Sequence, residues 1–323
     1  LAIYPATKSE FRVGLGLLVA CGVLSAGYAV RLYLTGNVSS DSAARLSITS
    51  DSGIMIDFNY YAASFILPIA VAMFFTFYGR RSIVRLASGA SALLMMIGLL
   101  LTGSRGAFVA AVAIVVYFAV RSRFRKQVFG FIALAGLVSA FFPAVYMRFA
   151  KDPSSQGSAS GRTFIWQTGL HSFGDHWLFG GGIGSYRDIY DRNLLDVYQA
   201  AFQGWSRPSH SILVGSLTEL GVVGLVIVLA AWFVSFRQLR IISKSSEWYG
   251  LRLACESAIL ALFAMSLTID PTYIKFVWLA HSIVLMLLNQ AAPRELRLSR
   301  ARRRPVLPSI VLPEVRGRPA RAN

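Results

Sequence analysis

The sequence predicts an all-α polytopic membrane protein with at least eight transmembrane helices and one large extramembrane loop. Of its 323 residues, 55% are hydrophobic and only 15% are charged, whereas soluble domains carry about 25% charged residues. Several apolar runs approach the length of about 20 residues that crosses a bilayer. Basic residues cluster between these runs, as orientation signals do in membrane proteins.

The apolar runs define eight predicted spans. They lie at residues 13–33, 58–78, 83–102, 106–120, 128–146, 212–236, 251–269 and 276–289. The fourth run would be only about 22 Å long as a helix, whereas the hydrocarbon core is about 30 Å thick. We therefore expect the turn before it to lie below the membrane surface. Because the chain starts at Leu1 and its first apolar run is too long for a signal peptide, we expect an N-terminal part to precede it.

Basic residues indicate the orientation of the spans. Clusters stand before the first span, after the second, fourth and sixth spans, and after the eighth. Such clusters face the cytoplasm, so both ends of the chain are predicted to be cytoplasmic and the net charge of +17 mostly reflects topology. The tail "RELRLSRARRRP" is expected to lie against anionic headgroups. Its arginines do not alternate with aromatic residues, which argues against a nucleic-acid partner.

This topology divides the chain into four parts. Residues 1–146 form a five-span bundle, 147–211 a large outer loop, 212–290 a three-span bundle and 291–323 a basic cytoplasmic tail. The outer loop is the only large segment predicted to lie outside the membrane.

Arg105 lies within "GLLLTGSRGAFVAAVAIVV", residues 98–116, which is otherwise almost entirely apolar. A guanidinium in hydrocarbon is costly and is tolerated mainly where it faces a cavity or a partner. The topology places it in an outward turn, 102–106, so we expect it to line a pocket that is open to the outside. The alternative is an interfacial arginine whose side chain extends to lipid phosphates.

The outer loop begins with the Ser/Gly-rich stretch "KDPSSQGSASGR". The next segment, "TFIWQTGLHSF", carries apolar and small residues at helical spacing and predicts a short amphipathic helix. It is followed by "GDHWLFGGGIGSY", which is too rich in glycine for a helix. These glycines permit a close approach of the backbone to a ligand.

The loop ends at His210, within "RPSHSILVGSLTELGVVG". Ser209 is the predicted N-cap of the sixth span. His210 would then lie at the positive end of the helix dipole, which lowers its pKa and keeps the ring neutral, as a general base requires. Gly221 and Gly224 fall on the same helical face as His210 and would admit a neighbouring helix. Glu219 falls on the opposite face, so we do not expect it to orient the histidine.

Three of these stretches together resemble the O-antigen ligase and polymerase superfamily of bacterial envelope glycan enzymes. "TGSRGA" is similar to the family's outward arginine turn. "GRTFIWQTGLHSF" followed by "LFGGGIGSY" is similar to its large periplasmic loop. His210, Ser211, nine further positions, then Gly221 and Gly224 resemble the ligase pattern, and "DFNYYA" is a weaker match. Trp177 departs from the family, in which a proline is common before the glycines.

The resemblance implies a GT-C-like membrane glycosyltransferase in the bacterial inner membrane with its active site facing the periplasm. The implied donor is a glycan on undecaprenyl pyrophosphate, and the acceptor is a hydroxyl of lipid A-core or of another glycan. Arg105 and Arg162 match the family arginines that hold the pyrophosphate, and His210 matches the base. The secondary candidates are Trp166, Ser211, Gly221 and Gly224. We expect no cofactor.

The chemistry of these residue types agrees with that implication. Arginine binds phosphate oxygens in a forked geometry and cannot lose its charge. A neutral histidine takes the proton from an attacking hydroxyl, and a single displacement inverts the anomeric centre. The outer loop holds no DxD motif and no close group of metal-ligating residues, so we predict that no metal is required.

Several alternatives remain open at this point. His171 or His176 could replace His210 as the base. Aromatic residues could stack on sugars or form an interfacial belt; they are Trp166, Trp177, Tyr186 and Trp205. We predict that Asp270 pairs with Lys275 or caps a turn, that Glu256 is interfacial, and that His281 is a satisfied packing residue.

Three other functions also stay open. A polymerase would use the same donor but a second carrier-linked repeat as its acceptor. A transporter of lipid-linked sugars would also present arginines to pyrophosphate, but it predicts polar residues near the midplane and repeat symmetry, which the sequence lacks. A structural subunit would need no arrangement of histidine and arginines.

Overall fold

A computed structural model describes residues 7–36, 57–139, 159–197, 206–270 and 275–291. Within these ranges the protein is entirely helical, with eleven α-helices and one short 3-10 helix at Phe173–His176. The helices are α1 Lys8–Leu34, α2 Phe58–Ser64, α3 Ile66–Tyr78, α4 Ser82–Leu101, α5 Arg105–Arg121, α6 Arg125–Ser139, α7 Ala159–Leu170, α8 Tyr186–Val197, α9 Ile212–Leu239, α10 Tyr249–Ser266 and α11 Lys275–Ala291. The predicted all-α class is confirmed for these residues.

Five helical segments are long and apolar enough to cross a membrane. They are α1, the consecutive α2 and α3, α4, α9 and α10. The other three predicted spans coincide with shorter helices, because α5 and α11 have 17 residues each and α6 has 15 described residues. The end of the fifth predicted span, 140–146, lies outside the described residues. The count of eight therefore stays a prediction.

The core is built around α10, which packs against α5 and α3. The facing surface of α5 carries small side chains, among them Ala107, Ala110 and Ala111, all almost fully buried. Small residues allow helix backbones to approach closely, which is the main source of packing energy between helices in lipid. At the end of this contact a Cβ atom on Gly106 would lie 2.6 Å from Thr268 Oγ1, so a side chain there would require Thr268 to move.

One end of the bundle carries the predicted cytoplasmic turns. Lys8 and Arg12 at the start of α1 form ion pairs with Glu247, just before α10. The Tyr249 hydroxyl donates a hydrogen bond of 3.1 Å to the carbonyl of Arg121 at the end of α5. We call this the basic end.

The prediction that Glu256 is interfacial was wrong. Glu256 is fully buried in α10, where its carboxylate accepts bonds from Arg252 Nε at 3.0 Å and from the Tyr117 hydroxyl at 2.6 Å. Arg252 is only 7% exposed and also donates to the carbonyl of Ile242 at 2.5 Å. A buried charge needs a partner of this kind.

His281 is a satisfied packing residue as predicted, because its Nδ1 lies 2.8 Å from Ser235 Oγ.

Candidate active site

The predicted arginine turn joins α4 to α5 at the end opposite the basic end. Gly103 takes a left-handed conformation with φ 63°, which glycine adopts at low cost. Ser104 caps α5 by accepting a hydrogen bond from the amide of Ala107. Arg105 is therefore the first residue of α5, and it is exposed.

The "DFNYYA" segment lies against this turn. Asp57 caps α2 by accepting bonds from the amides of Asn59 and Tyr60. The Asn59 Oδ1 atom in turn accepts a bond of 2.7 Å from Ser104 Oγ. This contact places the N-termini of α2 and α5 side by side, and helix N-termini attract anions.

Arg162 comes from the outer loop and lies on α7. It is half-buried, and burial lowers its pKa, as does the nearby positive charge of Arg105, whereas Asp57 acts in the opposite direction. A guanidinium keeps its charge even so. The electrostatic influence of Arg105 and Asp57 on Arg162 shows that the two predicted phosphate-binding arginines and one carboxylate share the same region.

His210 lies on a short strap, Ser209–Ser211, immediately before α9. Trp166 of α7 donates a hydrogen bond of 2.7 Å from its indole to the carbonyl of Ser209. Ser209 Oγ donates 2.9 Å to Asp270 Oδ2. His210 itself has φ 50°, a left-handed conformation that is uncommon for a residue with a side chain. These bonds hold the strap on both sides and support that conformation.

The predicted cap was displaced by two residues. Ser211, not Ser209, is the N-cap of α9, and its hydroxyl accepts from the amide of Val214. His210 therefore precedes the helix, and the prediction that it shares one helical face with Gly221 and Gly224 was wrong. The cap shifted because Ser209 uses its hydroxyl for Asp270.

The electrostatics of His210 favour a neutral ring. Burial lowers its pKa, as do Arg162 and Arg207, while Asp57 and Asp270 raise it. The predicted direction agrees, but the first cause is burial rather than the helix dipole. Its Nδ1 atom is buried and has no hydrogen-bond partner among the described residues. An unsatisfied buried polar atom in a structure that is otherwise well satisfied calls for a functional explanation.

Gly221 and Gly224 serve a purpose that the sequence did not predict. Gly221 interrupts α9 with φ 67° and ψ −168°. A Cβ atom there would come within 2.3 Å of the carbonyl of Leu178, in the glycine-rich stretch. A Cβ on Gly224 would lie 2.1 Å from Leu220 Cβ, across the break. Both glycines therefore accommodate the break in α9.

Sequence analysis gave Glu219 and Asp270 no role in the candidate site, but the structure places both of them there. Glu219 is 6% exposed and accepts from the amides of Gly184 and Tyr186 at 3.1 and 3.2 Å, so it anchors the glycine-rich stretch. The Asp270 carbonyl accepts from the Tyr60 hydroxyl at 3.0 Å.

A cavity of about 550 Å³ opens between these groups. Its walls include Tyr60, Tyr186, Arg187, Ser209, Glu219 and Asp270. The one sequence feature that could have indicated Glu219 or Asp270 is the position of a carboxylate in or beside an apolar span.

The remaining predicted residues are placed as follows. His171 and His176 are exposed, away from the buried strap. Trp166 uses its indole to hold Ser209, and Tyr186 is buried with its hydroxyl bonded to the carbonyl of Ile165. Trp205 lies outside the described residues. The predicted amphipathic helix is present as α7, although it ends at Leu170 and starts earlier than expected.

A metal was not expected at the site. Among the residues that the structure describes, no group of three or more His, Cys, Asp or Glu side chains is placed to hold an ion. The metal independence of the reaction nevertheless stays a prediction, because it concerns chemistry rather than placement.

Part of the chain is similar to a known protein family. Residues 90–229 match the family model described as O-antigen ligase. The match confirms the resemblance to the O-antigen ligase and polymerase superfamily. The matched segment runs from within α4 to within α9 and contains Arg105, Arg162 and His210. No curated protein matches the chain.

The O-antigen ligase match also bears on the coarse function. Members of this family are glycosyltransferase-like ligases or polymerases. The match covers less than half of the chain and shows a similarity to enzymes of ligase or polymerase type. Five helices of the chain are long and apolar enough to span a membrane.

Proposed function

We propose that this protein transfers a glycan from undecaprenyl pyrophosphate to a sugar hydroxyl of lipid A-core. The observation that carries the proposal is the convergence of Arg105, Arg162 and His210. They come from α5, α7 and the strap before α9. Arg105 and Asp57 influence Arg162 electrostatically, and Arg162 and Asp57 influence His210. The buried Nδ1 atom of His210 has no hydrogen-bond partner among the described residues, which supports a role in binding or catalysis.

In this proposal Arg105 and Arg162 hold the donor pyrophosphate. Two positive charges, one of them at the N-terminus of α5, attract an anion. Asp57 lies close enough to affect both Arg162 and His210, and its negative charge offsets part of the repulsion between the arginines. The same arginines would stabilise the pyrophosphate as it leaves, so we expect no requirement for a divalent metal.

His210 is the proposed general base. Its lowered pKa leaves the ring neutral at pH 7, the form that accepts a proton. The acceptor oxygen would attack the anomeric carbon while the bond from that carbon to the pyrophosphate oxygen breaks. The hydroxyl proton passes to His210, undecaprenyl pyrophosphate leaves, and the configuration at the anomeric carbon inverts.

We assign the cavity beside Ser209 to a sugar ring of the donor or acceptor. It is lined by two tyrosines, one arginine and two carboxylates. Aromatic faces bind the apolar surface of sugars, and polar groups fix their hydroxyls, a combination common in ligand pockets.

We also propose that the site faces the periplasm and that residues 291–323 form a cytoplasmic tail. The concentration of Lys8, Arg12 and Arg121 at the basic end supports this orientation, because positively charged turns stay on the cytoplasmic side. The four-part division into 1–146, 147–211, 212–290 and 291–323 follows from that topology.

The test is a reconstituted transfer reaction. The full-length protein is supplied with an undecaprenyl-pyrophosphate glycan, with and without lipid A-core, in the presence of a chelator. We expect glycan on lipid A-core with wild type and with the exposed-histidine control His171→Ala, and none with His210→Ala. Equal loss in both histidine variants would remove the assigned base.

The same reaction separates the alternatives. Longer glycan ladders without lipid A-core would identify a polymerase, which shares the donor chemistry. No product from folded wild type would contradict the transferase proposal and favour a transporter or a structural subunit.

A further inference from the structure

The glycine-rich stretch Trp177–Gly184, which we call the glycine loop, is bonded to the middle of a predicted span. The break at Gly221 leaves backbone groups of α9 without their helical partners. The glycine loop replaces these partners. The amides of Gly181 and Gly182 donate to the carbonyls of Thr218 and Glu219, both at 2.9 Å.

The bonds in the other direction fix the depth of the loop. The amide of Val222 donates to the Trp177 carbonyl at 2.9 Å, and the amide of Val223 donates to the Leu178 carbonyl at 3.2 Å. Trp177 and Leu178 therefore lie level with Val222 and Val223 of α9.

The length of the span predicts that this level lies inside the hydrocarbon. Arg237 is the first charged residue at the basic end of α9. Counting back about 20 residues, the length that crosses about 30 Å, reaches Leu217. Val222 and Val223 thus lie several residues below the opposite surface, and the loop bonded to them lies at the same depth.

The side chains of the glycine loop are suited to that depth. Trp177, Phe179 and Ile183 are 53%, 70% and 77% exposed, and no residue from Trp177 to Gly184 is charged. On a surface in water, a cluster of large apolar side chains of this kind marks an interaction site. It continues the exposed apolar surface of α9 at Val222 and Val226.

The backbone of the loop is suited to it as well. Backbone groups without partners cost several kcal/mol each in hydrocarbon. Here the Gly180 amide donates to the His176 carbonyl at 2.7 Å, and the Gly184 amide donates to Glu219. The Glu219 carboxylate is satisfied by a second amide, that of Tyr186, which lowers the cost of a buried charge.

We propose that the glycine loop is a re-entrant segment and that its exposed apolar side chains face the hydrocarbon of the bilayer. Trp177, Phe179 and Ile183 contact acyl chains of the leaflet at the candidate site, and the loop is held there by the break in α9. It therefore differs from the rest of residues 147–211, which were predicted to lie outside the membrane. The proposal does not depend on the transferase activity.

Nitroxide labels test this placement. Single cysteines replace Phe179 or Ile183 in a chain whose Cys21 and Cys255 are changed to serine, reconstituted in phosphatidylethanolamine and phosphatidylglycerol vesicles. Val226→Cys on α9 serves as the lipid-facing control and Leu195→Cys, an exposed leucine on α8, as the aqueous control. We expect labels at 179 and 183 to collide with oxygen far more than with a water-soluble nickel chelate, like the label at 226.

A collision profile at 179 and 183 that equals the one at 195 would overturn the proposal. Because a label can displace the loop, a second measurement uses unlabelled protein. The fluorescence of Trp177 is obtained as the difference between wild type and Trp177→Phe. Lipids with brominated acyl chains should quench this difference signal. Absence of quenching of that difference signal would equally contradict the proposal.

Discussion

At the residue scale, the candidate site depends on three side chains and on what surrounds each of them. Arg105 begins α5, Arg162 is half-buried on α7, and His210 lies on a strained strap. The strap is supported by Trp166 and Asp270 through bonds to Ser209. Positioning by such supporting bonds matters because catalytic geometry tolerates little displacement.

Arg105→Lys should retain charge but lose the forked contact with phosphate. We expect a loss of about 100-fold in the rate of glycan transfer, the scale seen when one donor to a developing charge is removed, with normal expression. Arg192→Lys on α8 is the matched control and should transfer at the wild-type rate. Full activity of Arg105→Lys would refute the bidentate role.

The fall of kcat/KM at low pH, the acid limb of the pH profile, should reflect protonation of His210. Because its pKa is lowered below the ordinary value of about 6.5, the base stays deprotonated, and kcat/KM stays constant, as pH falls from 8 to about 6.5. Below that range protonation removes the base and the rate falls.

Arg207 offers a way to move that limb. Its positive charge contributes to the lowered pKa of His210, so Arg207→Gln should raise the pKa and shift the acid limb to higher pH. The variant Arg192→Gln, at an exposed position of α8, is the control and should leave the limb unchanged. A limb at the same pH in wild type and Arg207→Gln would show that another group titrates.

At the element scale, the break in α9 and the glycine loop form one unit. Each supplies the backbone partners that the other lacks. Glycine at 221 is required twice, for its φ of 67° and for the 2.3 Å approach of the Leu178 carbonyl.

Gly221→Ala should therefore reduce the free energy of unfolding by about 1–2 kcal/mol from the left-handed backbone alone, with a further cost from the clash. Gly27→Ala in α1 is the control, since nothing lies within 4 Å of a Cβ there and alanine favours helix. Thermal unfolding in detergent measures both. An equal midpoint for Gly221→Ala and wild type would show that the break tolerates a side chain.

At the scale of the whole molecule, the ion pair of Arg252 and Glu256 connects several elements. Glu256 bonds to Tyr117 of α5, and Arg252 bonds to the carbonyl of Ile242 after α9. The pair lies towards the basic end of α10, remote from the candidate site.

Glu256→Gln should leave the Arg252 charge buried without its counter-ion and lower stability by about 3–5 kcal/mol. Replacing both residues together, as Arg252→Met with Glu256→Leu, should recover much of that loss because no charge stays buried. Thermal midpoints of the two variants give the comparison. A double variant less stable than Glu256→Gln would contradict this account.

The sequence by itself determined the helical class, the position of the apolar runs and the three residues of the candidate site. Apolar runs and basic clusters depend on local composition, and the spacing from His210 to Gly224 is a local pattern. The matched family region contains all three site residues, and the polar packing role of His281 was also predictable from its place inside an apolar run.

Only the tertiary structure decided which groups meet. Ser209 bonds to Asp270, so the cap of α9 moved to Ser211. Gly221 receives the glycine loop rather than a helix, and Glu219 anchors that loop. These outcomes depend on contacts between residues far apart in the chain. A helical wheel drawn from one segment gives no information about such contacts. The physical reason is that buried polar groups must find partners, and only the folded chain determines which partners are within reach.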